Sequence, residues 1–421
     1  MAAPLFRRAH HQQALHHTKG RNQIEDRKIS VATYFPHQHG GTLEYEKEWI
    51  QHPGAYAISP ALPLHSGKQP LLSDRGHLPT ALSDSAPDRW GRMLIQKQCA
   101  RRGEQPTEVD YLLGVDDRLR LGALRFEVNG VTQSPSSRVP KLVNLADIER
   151  ASRAVEEGDD AVDALRRIAV AGSSLGGARP KATVIDDEGK LMMAKFSSSA
   201  DTIDAVAWEK VCLDIAELAG INTPSSRLLE INGRSVLLLE RFDRAYGEDG
   251  SEARIPYMSA MTLLNRTDGD RASMVEIAEE LRLLSINGDS AAELFSRAAI
   301  NLLVGNTDNH LRNHGFIRVG GAWQLSPVFD ITPATTKTNF ATSVDVVGDD
   351  SVDTLIGAAG WFGLNDAQAI ERLSRAVDAV KQWKELARRN QIAVAEDKQV
   401  APGFDGEHLQ RAQQLIRERR A

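Results

Sequence analysis

Asn306-Thr307-Asp308-Asn309-His310-Leu311-Arg312-Asn313-His314, followed after a short strand-like run by Ser326-Pro327-Val328-Phe329-Asp330, decides how the rest of this 421-residue chain reads. Asp308 precedes Asn313 by five positions (313 − 308), and Asp330 comes seventeen after Asn313 (330 − 313). This is the spacing of the Asp, Asn and second Asp of a kinase catalytic centre. Transfer of a γ-phosphoryl group needs a carboxylate beside the attacking hydroxyl and oxygen ligands for the Mg²⁺ that bridges the phosphates. Asp308 suits the first task, Asn313 and Asp330 the second. The same residues also spell an ordinary polar turn after a buried helix, since Asn and Asp favour turns on their own account. What separates the two readings is whether the other parts of a phosphotransferase lie upstream in order.

Upstream, Val170-Ala171-Gly172-Ser173-Ser174-Leu175-Gly176-Gly177-Ala178-Arg179-Pro180-Lys181 is rich in glycine and serine. It leads into two apolar runs, Ala182 to Ile185 and Lys190 to Phe196, separated by Asp186-Asp187-Glu188-Gly189, which predicts a hairpin. Backbone amides of such a loop can close over phosphates. The stretch is neither GxGxxG nor a Walker A loop, and an ordinary surface loop fits it equally well. Lys195 is the one lysine in Leu191-Met192-Met193-Ala194-Lys195-Phe196, and a buried ammonium needs a designated partner. Glu209 supplies one, on the Asp204 to Ala219 helix that is apolar nearly all round. Asn232-Gly233 predicts a second hairpin, ending in Leu239-Glu240-Arg241-Phe242-Asp243-Arg244, where a hinge would offer its backbone to adenine. Helical patterns over 273–284 and 290–304 then feed into the Asn306 loop. Glycine-rich loop, strand lysine, helix glutamate, hinge, helical lobe, catalytic loop and metal aspartate thus follow in one order, and Lys195, Asp308, Asn313 and Asp330 are expected to converge in one cleft.

The remainder bounds the class. A hydrophobic share of 41% and a charged share of 26% are those of a soluble globular protein, and a net charge of −6 does not mark a nucleic-acid binder as a whole. Cys99 and Cys212 have no metal-ligand or disulfide spacing and read as buried hydrophobes in a reducing compartment. No run is apolar enough to span a membrane, so a cytoplasmic protein is expected. Residues 1–28 form a basic tail, mobile or partly helical, whose His10, His11, His16 and His17 define no coordination geometry. Ser85-Ala86-Pro87-Asp88 supplies a helix cap and a first-turn proline for a helix reaching Ile95. The charged C-terminal helix over 406–419 reads as a surface helix before it reads as a contact for DNA.

Ser174-Leu175-Gly176-Gly177-Ala178-Arg179-Pro180-Lys181, Glu240 to Arg244, Asn306 to Asn313 and Phe329-Asp330, with Tyr56 to Leu64 in the N-terminal region, together resemble the HipA-type serine/threonine kinases of bacterial toxin–antitoxin modules. The resemblance covers the chain from about Ile29 to its C-terminus. It implies an α+β, two-lobed protein-kinase-like (phosphoinositide-kinase-like) fold, with a mixed N-terminal lobe and a mainly helical C-terminal lobe. The expected divisions are the tail (1–28), an N-terminal subdomain (29–138), the N-lobe (139–250) and the C-lobe (251–421). It implies ATP and Mg²⁺ as cofactors, a DNA-binding HipB-like antitoxin as partner with DNA reached only through it, and a translation-related protein substrate such as an aminoacyl-tRNA synthetase. By motif position Lys181 and Lys195 fall near the phosphates, Glu240 and Phe242 near adenine, Asp308 at the base, Asn313 and Asp330 at the metal, and His310 beside the loop. Ser174, with Ser173 second, would be the inhibitory autophosphorylation site. The competing expectation is a kinase-fold binding protein acting as co-repressor with its antitoxin.

Overall fold

Residues 28–37 are rich in β-branched and aromatic side chains, with Ile29, Val31, Ala32 and Tyr34 buried, and they form a ten-residue strand. The computed structural model describes residues 8–12, 28–37, 40–72, 78–134, 139–158, 179–284, 289–333 and 339–420. In chain order these include β1 (Arg8–Gln12), β2 (Lys28–His37), β3 (Gly40–Tyr45), β4 (Lys68–Leu72), α1 (Arg89–Ala100), α2 (Glu108–Gly114), β5 (Leu124–Val128), β6 (Val131–Thr132), α3 (Leu145–Glu156), β7 (Lys181–Ile185), β8 (Leu191–Phe196), α4 (Ala205–Leu218), β9 (Ser226–Ile231) and β10 (Arg234–Glu240). They continue with β11 (Arg244–Tyr246), β12 (Glu252–Arg254), α5 (Met274–Leu284), α6 (Asp289–Val304), α7 (Asp366–Val380), α8 (Trp383–Arg389), α9 (Asp397–Phe404) and α10 (Glu407–Arg420).

The chain divides into two compact units. The first comprises Met1–Ser199, Glu240–Met258 and Ile317–Gly321; the second comprises Ala200–Leu239, Ser259–Phe316 and Ala322–Ala421. This grouping cuts across the sequence boundaries at 138/139 and 250/251.

In the first unit an antiparallel sheet runs β4-β3-β2-β1-β5-β6. Arg8–Gln12 belongs to the stretch expected to be a mobile or helical tail, yet it is the strand between β2 and β5. The expectation rested on polarity, but backbone groups of both neighbouring strands give this segment its ladder whatever its side chains. Tyr34, Leu82, Ala86, Leu112 and Phe126 form the core under the sheet. Trp90 and Leu94 of α1 pack on Ala151 and Val155 of α3. Asp88 is the N-cap of α1, its side chain accepting from Gly91 N–H at 2.8 Å, so Pro87 lies outside the helix and not in its first turn as expected. β7 and β8 form the expected hairpin around Asp186–Gly189.

The second unit is mainly helical. α4 is buried on nearly every face, as its composition predicts, and its Trp208 packs tilted against Trp383 of α8 and Phe404 of α9, which stack on each other, with ring centroids 5.0–6.0 Å apart. β9 and β10 meet around Asn232 (φ 53°) and Gly233 (φ 73°), the paired left-handed residues of a tight hairpin. α7 and α8 follow one another with only Lys381 and Gln382 between them. In α10, Leu409, Ala412, Leu415 and Ile416 are buried, and Arg411 and Arg419 pair with Asp353 and Asp366, so this helix is fastened to its own unit. Cys99 and Cys212 are both buried and free. No helix among the described residues is long and apolar enough to cross a membrane.

Candidate active site

α6 is buried along most of its length and stops abruptly. Gly305 adopts φ 65°, its N–H donates to Leu302 O at 3.2 Å, and Asn306 N–H donates to Asn301 O at 2.8 Å. These two bonds close a Schellman motif, which explains why a glycine stands between the helix and the Asn306 loop. Asn306 Nδ2 also donates to Asn301 Oδ1 at 2.9 Å.

The loop is held from several sides. Asn309 Nδ2 donates to Thr342 O at 3.1 Å, Thr342 N–H returns a bond to Asn309 Oδ1 at 3.2 Å, and Ala341 N–H donates to Thr307 O at 3.0 Å. His314 Nε2 lies 3.2 Å from Asn309 O and must donate to it. Burial pushes the His314 imidazole down to about 4, and the Arg297 charge acts in the same direction, so it is neutral near pH 7. Asn306, Thr307, Asn309, Asn313 and His314 are buried, whereas Asp308 between them is exposed. A carboxylate presented to solvent on a fully braced loop is the arrangement a proton acceptor for an incoming hydroxyl requires.

Asn313 Nδ2 donates to Asp308 O at 3.0 Å, which fixes the amide plane and, among the described residues, leaves Oδ1 buried without a hydrogen-bond partner. An orphaned amide oxygen tied to the main chain of the Asp308 loop is a ready ligand for a hard cation. Asp330 is half-buried at φ 55°, a left-handed conformation that few non-glycine residues adopt. Its N–H donates to Glu209 Oε1 at 3.1 Å. Glu209, expected as the partner of Lys195, thus also accepts the backbone N–H of Asp330, a contact its sequence position did not reveal. Among the described residues no trio of His, Cys, Asp or Glu forms a metal cage. Mg²⁺ needs none, since it is bound by one or two protein oxygens together with phosphates and water. The residues therefore fit Mg²⁺ through Asn313 Oδ1 and the Asp330 carboxylate.

The nucleotide-side candidates lie in the first unit. Lys181 and Lys195 are directly opposite one another in the β7–β8 ladder and both are buried. Lys181, expected near phosphates, donates to Asp88 Oδ2 at 2.7 Å, with 2% and 4% of the two side chains exposed. Burial is the reason for the pairing: an enclosed ammonium takes a carboxylate where one is in reach. Glu240 and Phe242 are half-buried, and Phe242 packs on Tyr257 with ring centroids 6.0 Å apart. Between and after them stands a buried charge cluster. Arg241 and Arg244 both donate to Asp243 Oδ2 at 2.6 Å. Burial raises the Asp243 carboxyl, but the two guanidiniums outweigh it and hold it far below the usual carboxylate range. Ser173, Ser174, Gly176 and Gly177 lie outside the described residues. His310 is half-buried at the start of the Leu311–Asn313 turn. A cavity of about 360 Å³, lined by Arg282, Asp289, Phe362, Arg372 and Arg375, contains none of these residues.

Residues 173–384 match the family model of the HipA-like C-terminal domain, and residues 24–127 that of the HipA N-terminal domain. Toxin YjjJ of Escherichia coli (strain K12) is 26% identical over 205 residues, which are 46% of this chain and 45% of that protein, so the chain spans under half the length of this curated relative. Among solved structures, HipA from the Shewanella oneidensis MR-1 complex of HipA, HipB and operator DNA superimposes with a TM-score of 0.67 at 15% identity, over 93% of this chain and 97% of that one. CtkA, a proinflammatory kinase of Helicobacter pylori, gives a TM-score of 0.44 at 14% identity, over 58% of this chain and 94% of that one. The expected α+β character is borne out, and the chain shares the fold of that HipA structure.

Proposed function

The chain belongs to the HipA family, and from that premise we propose that it is an ATP- and Mg²⁺-dependent serine/threonine protein kinase serving as the toxin of a toxin–antitoxin pair. The observation that carries the reading is the Asp308 loop: an exposed aspartate braced by buried neighbours, with an Asn313 oxygen that lacks a partner among the described residues. Asp308 would accept the hydrogen bond of a substrate hydroxyl and aim its oxygen, and then take the proton as the new phosphoester bond forms and the bond between the γ-phosphorus and its bridging oxygen breaks, with ADP leaving. Asn313 Oδ1 and Asp330 would hold Mg²⁺, which when bound neutralises charge on the transferring phosphoryl group. Lys195 would meet phosphate oxygens, and Glu240 and Phe242 the adenine. Most of the acceleration would come from positioning and electrostatics, since the protein makes no covalent bond to the phosphoryl group.

The partner is proposed to be a DNA-binding antitoxin of the HipB kind, and the substrate a translation-related protein such as an aminoacyl-tRNA synthetase, with Ser174 as an inhibitory autophosphorylation site. The test is incubation of purified protein with γ-labelled ATP and a cell lysate. Label should appear on protein and should vanish in Asp308→Gln at an unchanged melting temperature. Undiminished label in a folded Asp308→Gln variant would refute the assignment, and no label with the unsubstituted chain would favour the non-catalytic co-repressor.

A further inference from the structure

Lys181 and Lys195 are cross-strand partners, so their side chains leave the β7–β8 hairpin on the same face, and both are buried there. Like charges directly opposite one another destabilise a strand pair, and an enclosed ammonium without a counter-charge is strongly unfavourable. Asp88 answers both problems. Its Oδ2 accepts from Lys181 Nζ at 2.7 Å, while its Oδ1 accepts from Gly91 N–H at 2.8 Å as the cap of α1. A helix start therefore fixes where the carboxylate stands.

The loop that carries Asp88 is fastened in turn to the 240–244 segment. Ser85 O accepts from Arg120 Nη1 at 2.7 Å. Arg120 O accepts from Arg241 Nη2 at 3.2 Å and from Arg244 Nη2 at 2.9 Å, and Leu119 O accepts from Arg241 Nη1 at 2.7 Å. Gly122 N–H donates to Asp243 Oδ2 at 2.8 Å. Buried polar contacts thus run from Lys181, at the end of the glycine-rich stretch, through residues 85–88 and 118–122, to the segment that bears Glu240 and Phe242. None of these links is part of the catalytic loop, and the Asp88 link was not foreseen from spacing.

We propose that Asp88 is a positioning residue for nucleotide binding: it neutralises Lys181, so that Lys195 is the lysine of the pair that meets phosphate, and it ties the β7–β8 hairpin to the scaffold that holds Glu240 and Phe242. The proposal rests on the kinase reading and reassigns Lys181 from phosphate ligand to structural cation. In this view the N-terminal part of the chain is a support of the nucleotide-binding elements, built into them by buried charge.

Asp88→Asn keeps the helix cap, because asparagine caps as well as aspartate, and removes the charge. Dissociation constants of Mg-ATP are measured on the full-length protein by displacement of a fluorescent ATP analogue, with kcat and melting temperature alongside. Asp88→Asn should weaken Mg-ATP by roughly tenfold, the scale seen when groups behind a binding site are altered, while kcat at saturating ATP changes by less than about threefold. Lys181→Met should weaken it similarly. The double variant Asp88→Asn/Lys181→Met should be no worse than the poorer single variant, because the two act as one unit, and it should recover melting temperature lost in Asp88→Asn. Wild-type affinity in Asp88→Asn and in the double variant would overturn the proposal. So would losses that add in the double variant, which would mean that Lys181 meets the phosphates independently. If Mg-ATP fails to displace the analogue from the unsubstituted protein, the kinase reading itself falls and takes this role with it, an outcome distinct from the other two.

Discussion

Replacing Glu209 by alanine removes the acceptor of the Asp330 N–H, and the consequence follows from two opposed energies. Asp330 stands at φ 55°, and holding an L-residue in the left-handed region costs about 1–2 kcal/mol. A hydrogen bond to a carboxylate returns about 1.5–3 kcal/mol, and here the bond is 3.1 Å to a buried Glu209. Without it the strain is no longer offset, and at about 1.4 kcal/mol per decade the population with Asp330 correctly held falls roughly ten- to a hundredfold. The expected outcome is a fall in kcat for ATP-dependent phosphotransfer of that size, with the affinity for a fluorescent ATP analogue changed far less. Glu209→Gln keeps a neutral acceptor oxygen in the same place and should lie between wild type and alanine. Melting curves identify variants whose loss is merely unfolding. A folded Glu209→Ala protein with wild-type kcat would refute the reasoning, and a glutamine variant as poor as alanine would transfer the effect from the hydrogen bond to the charge.

Three other outcomes are expected. His314 is neutral when folded because burial pushes it down to about 4 from a reference of 6.5; its stability contribution is complete above about pH 6.5 and is lost as the pH falls through 4. Urea denaturation of His314→Gln between those values should show a flatter pH dependence, by up to roughly 3 kcal/mol, and parallel profiles would contradict the assignment. Gly305→Ala forces a Cβ into φ 65° at the helix end and should lower stability by about 1–2 kcal/mol, read from the denaturation midpoint, with Gly305→Asn less affected. Trp208→Ala empties the space beside the stacked Trp383 and Phe404 rings and should cost about 3–5 kcal/mol in the same measurement.

What could be read from the chain in one dimension was what a few neighbouring residues decide between themselves. Asn232-Gly233 forces two left-handed residues and so a tight hairpin, Asp186 to Gly189 makes its turn locally, and the apolar circumference of α4 requires enclosure wherever the helix lands. The loop from Asn306 to Asn313 belongs with these, since Asp308 and Asn313 meet through a bond only five positions long. The basic stretch before Ile29 misled for the opposite reason: Arg8–Gln12 is a strand because β2 and β5 offer it a place, and composition carries no record of such an offer.

The links that brace the candidate site were of that second kind. Lys181 and Asp88 are 93 positions apart, Asp243 and Gly122 are 121 apart, and so are Glu209 and Asp330. Each residue type is explicable once its partner is known, and none names its partner. The sequence by itself nominated the candidate residues, because a carboxylate, an amide and a second carboxylate at that spacing suit phosphoryl transfer. Only the tertiary structure decided which carboxylate serves which cation and which amide, because a charge excluded from water settles on whatever counter-group the fold delivers to it.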